Sequence, residues 1–471
     1  MQYIPILGLS GINTHVSPLV AADGELSDTV NFSSKKVGAL TKTGDYLLKN
    51  AQVAANQNIL GGIDFFRADL LNHLHVIAVD GAVNADIYID VGGVWTAQSQ
   101  SLTAGRRVRF AYSPTLDTLF AVNKADATRS FNGSAWSTST NVTGAPKGDD
   151  IISFGRRIYI LNAVVGSTAY PTRAYRSSLV DSVSITWDTT NDWITFDDVI
   201  VGAGKNGDNM FVGCANSIYL FTLSDEKYPV STKGCVSRES IASYKQWTFW
   251  ASYDGMYAFN GSDDINISLP IKEWWDGLSL SNLQNIRAEI HGDYLYVYVG
   301  SITSPRAASN VLWEYDINQN DWNRIELGVD CQNLHTYVNA SGKQLFMGDD
   351  NGKVYQMFTS GAQDGNPFQS SVETNWIYGA AHNQESDFTE LWGYGNKLSG
   401  IQVMYKLNSD DEKWKAAENL TGNISVSKFK ARGYRIKFKL TETSKGNLYD
   451  IDGLEVGYED QYTGQENPEK Q

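Results

Sequence analysis

"FNGSAW" occupies residues 131–136 and "FNGSDD" residues 259–264, so the same aromatic-Asn-Gly-Ser turn is written twice, 259 − 131 = 128 residues apart. Asn-Gly flanked by strand-like apolar residues is a hairpin signal, because both turn positions tolerate positive φ. Each copy closes a similar run, "TLFAVNKADATRSFNG" before the first and "TFWASYDGMYAFNG" before the second. A spacing of 128 is close to three periods of about 43 residues, the length of a propeller blade. The duplication points to a repeat fold.

Strand-turn-strand units recur on both sides of these turns. Hairpins are expected in "HLHVIAVDGAVNADIYID" (73–90), "VRFAYSPTLDTLFAVN" (108–123), "ISFGRRIYILN" (152–162), "MFVGCANSIYLFT" (210–222), "AEIHGDYLYVYVG" (288–300), "LWEYDINQNDWNRI" (312–325) and "QLFMGDDNGKVYQM" (344–357). Most of these strands alternate, as in Tyr294, Tyr296 and Tyr298 against Leu295, Val297 and Val299. A second echo, "GRRVRF" at 105–110 and "GRRIYI" at 155–160, reads as a further trace of the repeat. Residues 56–360 divided by about 43 give about seven blades, and six longer ones also fit. Radial repetition buries each sheet between its neighbours and leaves only short edges.

"LPIKEWWDGLSLSNLQNIRA" (269–288) breaks the pattern with Pro270 in a first turn and Ile271, Trp274 and Trp275 at helical spacing. It reads as a helical insert between blades. After residue 360 the Gly/Ser/Asn/Pro-rich "TSGAQDGNPFQSS" leads into alternating strands "SGIQVMYKLN", "GYRIKFKLTE" and "YDIDGLEVGYE". The expected fold is therefore all-β: an N-terminal arm over 1–55 with the strand that leads into the propeller, a β-propeller over 56–360 and a linker over 361–372. A β-sandwich of jelly-roll type over 373–460 and a disordered tail over 461–471 complete it.

Aromatics make up 12% of the 471 residues, glycines number 42 and charged residues are only 19%. That balance suits short strands joined by glycine turns. The net charge of −15 argues against a general binder of phosphate backbones, although an acidic surface lets DNA slide past without sticking. No apolar run reaches membrane-spanning length and no signal peptide is evident in "MQYIPILGLSGINTHVSPLV". Cys214, Cys235 and Cys331 are odd in number and unclustered, as expected of reduced thiols made in a cytosol. Asn-X-Ser/Thr matches such as Asn260 and Asn419 then carry no weight.

Candidate chemistry is sparse. "GAGKNG" (202–207) has the spacing of a dinucleotide-binding loop but leads into another hairpin and not a helix, so it reads as a glycine loop between blades. His73 and His75 share a strand face, with no third ligand predictable nearby. The carboxylate pairs Asp197-Asp198, Asp263-Asp264, Asp349-Asp350 and Asp410-Asp411 could suggest a glycosidase, but all except the first sit in turns where Asp caps its own backbone. No catalytic, cofactor-binding or metal-ligating residue is assigned, no cofactor is expected, and the chain is not expected to be an enzyme. "KFKARGYRIKFKL" (428–440) is the one basic stretch. It is expected to send Tyr434, Ile436, Phe438 and Leu440 into a core and to present Arg435, Lys437 and Lys439 outward, to solvent, to another subunit or to DNA. Trp274 and Trp275, adjacent on a helix, diverge by about 100°, so one is expected to pack on the blades and the other to reach a neighbour. These five residues are the subunit-interface candidates.

Three segments together resemble a known family. They are the opening "LGLSGINTHVSPLVAADGELSDTVNFSSKKVGALTKTGDY", the stretch from "GMYAFNGSDDINISLPIKEWWDGL" through "NVLWEYDINQNDWNRI", and the end "GIQVMYKLNSDDEKWKAAENLTG" to "YDIDGLEVGYE". In layout they are similar to the tail hub, or packaged-DNA-stabilising tail accessory (nozzle), proteins of short-tailed bacteriophages. The resemblance implies a ring, a hexamer in relatives, in the virion tail below the portal and adaptor proteins, made in the host cytoplasm. Such a ring continues the double-stranded DNA channel, helps retain the genome and receives the distal tail proteins. The alternative expectation is a carbohydrate- or receptor-binding propeller of the virion, with Trp136, Trp193 and Trp322 stacking on sugars.

Overall fold

The computed structural model describes residues 1–6, 8–14, 24–67, 71–180, 184–304, 306–359, 361–379, 384–442 and 449–460. Strand accounts for 57% and helix for 4%, so the chain is all-β. The tail 461–471 lies outside the described residues.

Seven small antiparallel sheets follow one another along the described chain. Their first strands are Ile59–Arg67, Arg109–Ser113, Asp150–Phe154, Ile200–Asn206, Ala242–Tyr244, Arg287–His291 and Cys331–Asn339. The second to sixth sheets run through four consecutive strands in meander order; in the first, Asn84–Val91 pairs with both Val94–Ala97 and Leu102–Thr103, and the last takes its fourth strand from earlier in the chain. The fourth strand of the seventh sheet is Tyr46–Leu48, which pairs with Val354–Met357 in the register Tyr46↔Met357, Leu47↔Gln356 and Leu48↔Tyr355. This is a seven-bladed β-propeller closed by a strand from the N-terminal side. Its hydrophobic clusters lie between blades. One joins Leu60, Phe65 and Val76 to Leu119 and Phe131, and another joins Ile59, Ile77 and Val79 of blade 1 to Phe346 and Val354 of blade 7.

Because both faces of a blade are covered, the middle strands do not alternate between core and solvent. Thr118–Val122 and Gly255–Phe259 are buried throughout. In Tyr294–Ile302, Tyr296 and Tyr298 are buried together with Leu295, Val297 and Val299. The sequence alternation there separates two buried faces.

The two FNGS turns occupy equivalent positions. Each joins the third strand of its blade to the fourth, in blade 2 (Arg129–Phe131 to Trp136–Ser137) and in blade 5 (Gly255–Phe259 to Asp264–Asn266). Gly133 and Gly261 take positive φ, 86° and 100°, but Asn132 and Asn260 do not. The asparagines act through their side chains: Asn132 Oδ1 accepts from the N–H groups of Ser134 and Ala135, and Asn260 Oδ1 from those of Ser262 and Asp263. The Gly-Arg-Arg echo is no repeat mark. Gly105 precedes a first strand, whereas Gly155 and Arg156 form the turn between the first and second strands of blade 3.

"GAGKNG" is not a loop. It lies within the first strand of blade 4, Ile200–Asn206, and ends at the turn residue Gly207. A Cβ on Gly204 would meet Ile241 Cγ2 at 2.7 Å, so the glycine admits close approach of the chain entering blade 5. The predicted helix at 269–288 is a 3-10 turn, Leu269–Ile271, followed by two short helices, Lys272–Asp276 and Leu280–Gln284, between blades 5 and 6.

The chain divides into two units, Tyr46–Trp313 with Leu327–Thr359, and Met1–Asp45 with Glu314–Glu326 and Ser360–Gln471. The second of these holds two six-stranded sheets. Phe32, Leu40, Phe388, Leu391 and Val456 of one share a core with Leu26, Val372, Val403, Ile436 and Leu440 of the other. The arm expected over 1–55 is thus corrected: Gln2–Ile6, Leu26–Val30, Phe32–Lys36 and Ala39–Lys42 are strands of these sheets, and only Tyr46–Leu48 joins the propeller. The linker expected over 361–372 is also corrected. Gln363 is buried, with Nε2 donating to the carbonyls of Gly44 and Glu326, and the strand Ser371–Thr374 begins inside it.

Candidate functional site

At the propeller axis, residues at or just before the starts of several first strands converge. Arg107 precedes the first strand of blade 2, Asp149 that of blade 3, and the turn Arg238–Ser240 that of blade 5. Arg287 opens the first strand of blade 6, and Gln332 is the second residue of that of blade 7. They line two adjoining cavities of about 370 and about 280 Å³, with Arg107, Asn285 and Arg287 common to both.

The walls are polar and basic. Around the smaller cavity stand Arg106, Arg107, Lys124, Arg238 and Arg287 against Asp149 and Glu239, 5 − 2 = +3 in a chain of net charge −15. Part of this charge is neutralised locally. Glu239 Oε2 takes Arg109 Nη1 at 3.1 Å, its Oε1 takes Arg238 Nη2 at 3.1 Å, and Arg238 Nη1 reaches Asp149 at 3.3 Å. Burial pushes the Glu239 carboxyl up, but Arg109, then Arg238, Arg107 and Arg287, outweigh it and bring it to about 2.

Arg107 and Arg287 are held differently. Arg107 donates to the carbonyls of Ile59 and Gln332 and, at 2.9 Å, to Gln332 Oε1. Arg287 Nη2 donates to the same Gln332 Oε1 at 3.2 Å, its guanidinium lies 5.7 Å from the Tyr298 ring, and its Nε is buried with no hydrogen-bond partner. Gln332 is fixed in turn by Asp330, whose other oxygen accepts from Tyr298. Among the described residues neither guanidinium has a carboxylate at ion-pair distance. Burial and then the facing Arg287 charge bring Arg107 down to about 10.

The candidates read from the sequence are placed elsewhere. Trp274 and Trp275 are both 2% exposed, and Trp274 packs edge-on against Trp313 at 5.8 Å. The expectation that only one could be buried is corrected. Their helix is only five residues long, and tertiary packing on more than one side, Trp313 against Trp274 among it, buries both indoles. The helix therefore offers no tryptophan to a neighbour.

The basic stretch 428–440 is not one strand. It leaves one sheet in Ile424–Gly433 and enters the other in Arg435–Glu442, with Tyr434, 45% exposed, at the crossing. Its cations do not face outward freely. Lys437, 4% exposed, pairs with Asp410 at 3.4 Å, and Lys439 pairs with Glu373 at 3.1 Å. Arg435 donates to the Asn408 carbonyl and lies 4.3 Å over the Trp376 ring. Partners distant in sequence satisfy them, which alternation alone does not reveal.

His73 contacts Asp64 at 2.7 Å and His75 meets His335. Among the described residues no three ligating side chains gather into a metal site. The carboxylate pairs have structural partners: Asp349 Oδ1 accepts from the N–H groups of Asn351 and Lys353, Asp198 from that of Asn216, and Asp197 pairs with Lys227. Trp322 is fully buried, Trp136 stacks on Phe131 at 5.0 Å across the hairpin, and Trp193 is covered by Arg173 at 4.4 Å. The three cysteines are free and buried, and burial pushes each thiol up to about 12. Among the described residues no helix is long and apolar enough to cross a membrane.

No protein family and no curated protein matches the chain. Among solved structures it is similar to YCF48 bound to a D1 peptide, at 11% identity and TM-score 0.40, over 66% of this chain and 94% of that one. It is also similar to Sqt1 of Saccharomyces cerevisiae, at 8% identity and TM-score 0.39, over 67% and 98%. A third likeness is to the extracellular domain of the one component system BT4673 of B. thetaiotaomicron, at 10% identity and TM-score 0.42, over 87% of this chain and 59% of that one. At these TM-scores the likenesses say nothing of function.

Proposed function

We propose that this chain is a structural subunit of a short-tailed bacteriophage virion. In this reading it forms a ring, hexameric as in the family it resembles, below the portal and adaptor proteins. The ring continues the DNA channel, helps retain packaged DNA and receives the distal tail proteins. The observation that carries the reading is the path of the N-terminal segment. It supplies four strands to a two-sheet unit and then one strand that closes a seven-bladed propeller, so the chain holds both a propeller and a two-sheet unit, the two parts that the resemblance implies. The two-sheet unit is taken as the family's jelly roll.

An acidic chain of net charge −15 suits a wall past which DNA moves without being gripped. Fractionating particles and measuring the mass of the assembled species tests the reading. A stoichiometric ring in the tail supports it; absence from purified particles overturns it.

A further inference from the structure

We propose that the axial cavity of the propeller binds an acidic sugar, its carboxylate seated against the guanidiniums of Arg107 and Arg287. The site belongs to the single chain and does not depend on the virion reading. Two like charges lie against one another at this spot, both bound to Gln332 Oε1 and neither within ion-pair distance of a carboxylate among the described residues. Arg287 is 6% exposed and lines the cavity with a donor left over at Nε. Burying charge without an opposite partner is costly, and a ligand oxyanion relieves that cost with charge-assisted bonds. Burial and then Arg287 bring Arg107 down to about 10, with Glu239 offsetting this only in part.

The rest of the lining selects the body that carries the anion. Around the larger cavity stand the amides Asn282, Asn285 and Asn310 and the hydroxyls Ser281, Ser301 and Tyr298. Polar side chains of this kind match a ring of hydroxyl groups. A cavity of about 370 Å³ continuing into one of about 280 Å³ lies in the size range of small-molecule sites and admits a monosaccharide. Arg106 and Lys124, the latter paired with Asp149 at 3.5 Å, also line the smaller cavity and add to its positive field.

The full-length chain is titrated with D-galacturonate, D-galactose and inorganic phosphate by calorimetry, with thermal unfolding in parallel. Galacturonate is expected to bind and to raise the melting temperature, with galactose at least tenfold weaker. Arg287→Gln is expected to weaken galacturonate at least tenfold. Asn285 is exposed and lines both cavities, so Asn285→Asp places a competing carboxylate there without disturbing the core and should weaken binding similarly. Galactose binding as well as galacturonate overturns the role of the arginines. Phosphate binding as well as galacturonate shows a bare oxyanion site and overturns the sugar. No galacturonate binding at millimolar concentration, or binding untouched by Asn285→Asp, overturns the site.

Discussion

His75 and His335 meet Nε2 to Nε2 at 2.6 Å in the seam where blade 7 closes on blade 1. They are 0% and 3% exposed. His335 Nδ1 lies 2.7 Å from Asn333 Oδ1, an acceptor, which places the His335 proton on Nδ1. His335 Nε2 then accepts from His75 Nε2–H, and His75 Nδ1 is left buried with no partner. Tyr337 stacks on His75 at 4.4 Å, and Trp95 and Phe346 close around it. Neither ring takes a proton easily. Burial, then the facing His335 and Lys49, hold His75 well below the usual histidine range, and burial brings His335 down to about 3.

Stability of the propeller should therefore fall in mild acid. Both folded-state values lie below those of the unfolded chain, so the unfolded chain binds more protons. The stabilisation is complete above pH about 6.5 and is lost as the pH falls from there toward about 3. Each histidine contributes a slope of up to about 1.4 kcal/mol per pH unit. Urea unfolding at a series of pH values between neutrality and pH about 4.5 measures it, and His335→Gln should flatten the curve. An unchanged slope in that variant would exclude the pair as its origin.

Gly62→Ala tests the tightness of the same seam. A Cβ at position 62 would lie 2.4 Å from His335 Nδ1 and 2.5 Å from its Cε1. Overpacking of a rigid buried ring should cost about 1–3 kcal/mol. The midpoint of urea denaturation is expected to drop while the slope of the transition stays the same.

Tyr46→Ala probes ring closure. Tyr46 is 2% exposed, pairs with Met357 and meets the Tyr355 ring at 5.0 Å. Removing the aromatic side chain should cost about 3–5 kcal/mol. Limited proteolysis should then cut first in the strands of blade 7. First cleavage in a distant blade would argue against closure by this strand.

The two FNGS turns should be energetically alike. Asn132→Ala and Asn260→Ala each remove an acceptor of two backbone N–H groups, at an expected cost of about 1 kcal/mol. Blades 2 and 5 share no partner at these turns, so the double variant should show the sum. Thermal unfolding of the three variants checks additivity.

Charge reversal at Lys437 should act on folding before it acts on assembly. Lys437→Glu sets a carboxylate against Asp410, its present partner at 3.4 Å. Asp410 is 64% exposed, so the cost is that of a half-screened pair, about 1–3 kcal/mol. The two-sheet unit should melt earlier in calorimetry at every ionic strength. A variant of unchanged melting temperature that fails to assemble would return Lys437 to a subunit interface.

By itself the sequence determined the hairpins, the period and the all-β class. Turn residues and strand-forming residues act on neighbours a few positions away, so Asn132-Gly133 and Asn260-Gly261 are legible as turns wherever the chain is folded. The spacing allowed seven blades or six longer ones, and the sheet pairing decided on seven. Tertiary structure alone decided what the side chains face. Alternation along Arg435–Glu442 separates two faces but does not say that Asp410 and Glu373 cover the cationic one. Two adjacent tryptophans diverge on any helix, and only packing on both sides buries both. The axial arginines were the least legible, because Arg107 and Gln332 are 225 residues apart in sequence and are joined only when seven blades close around one axis.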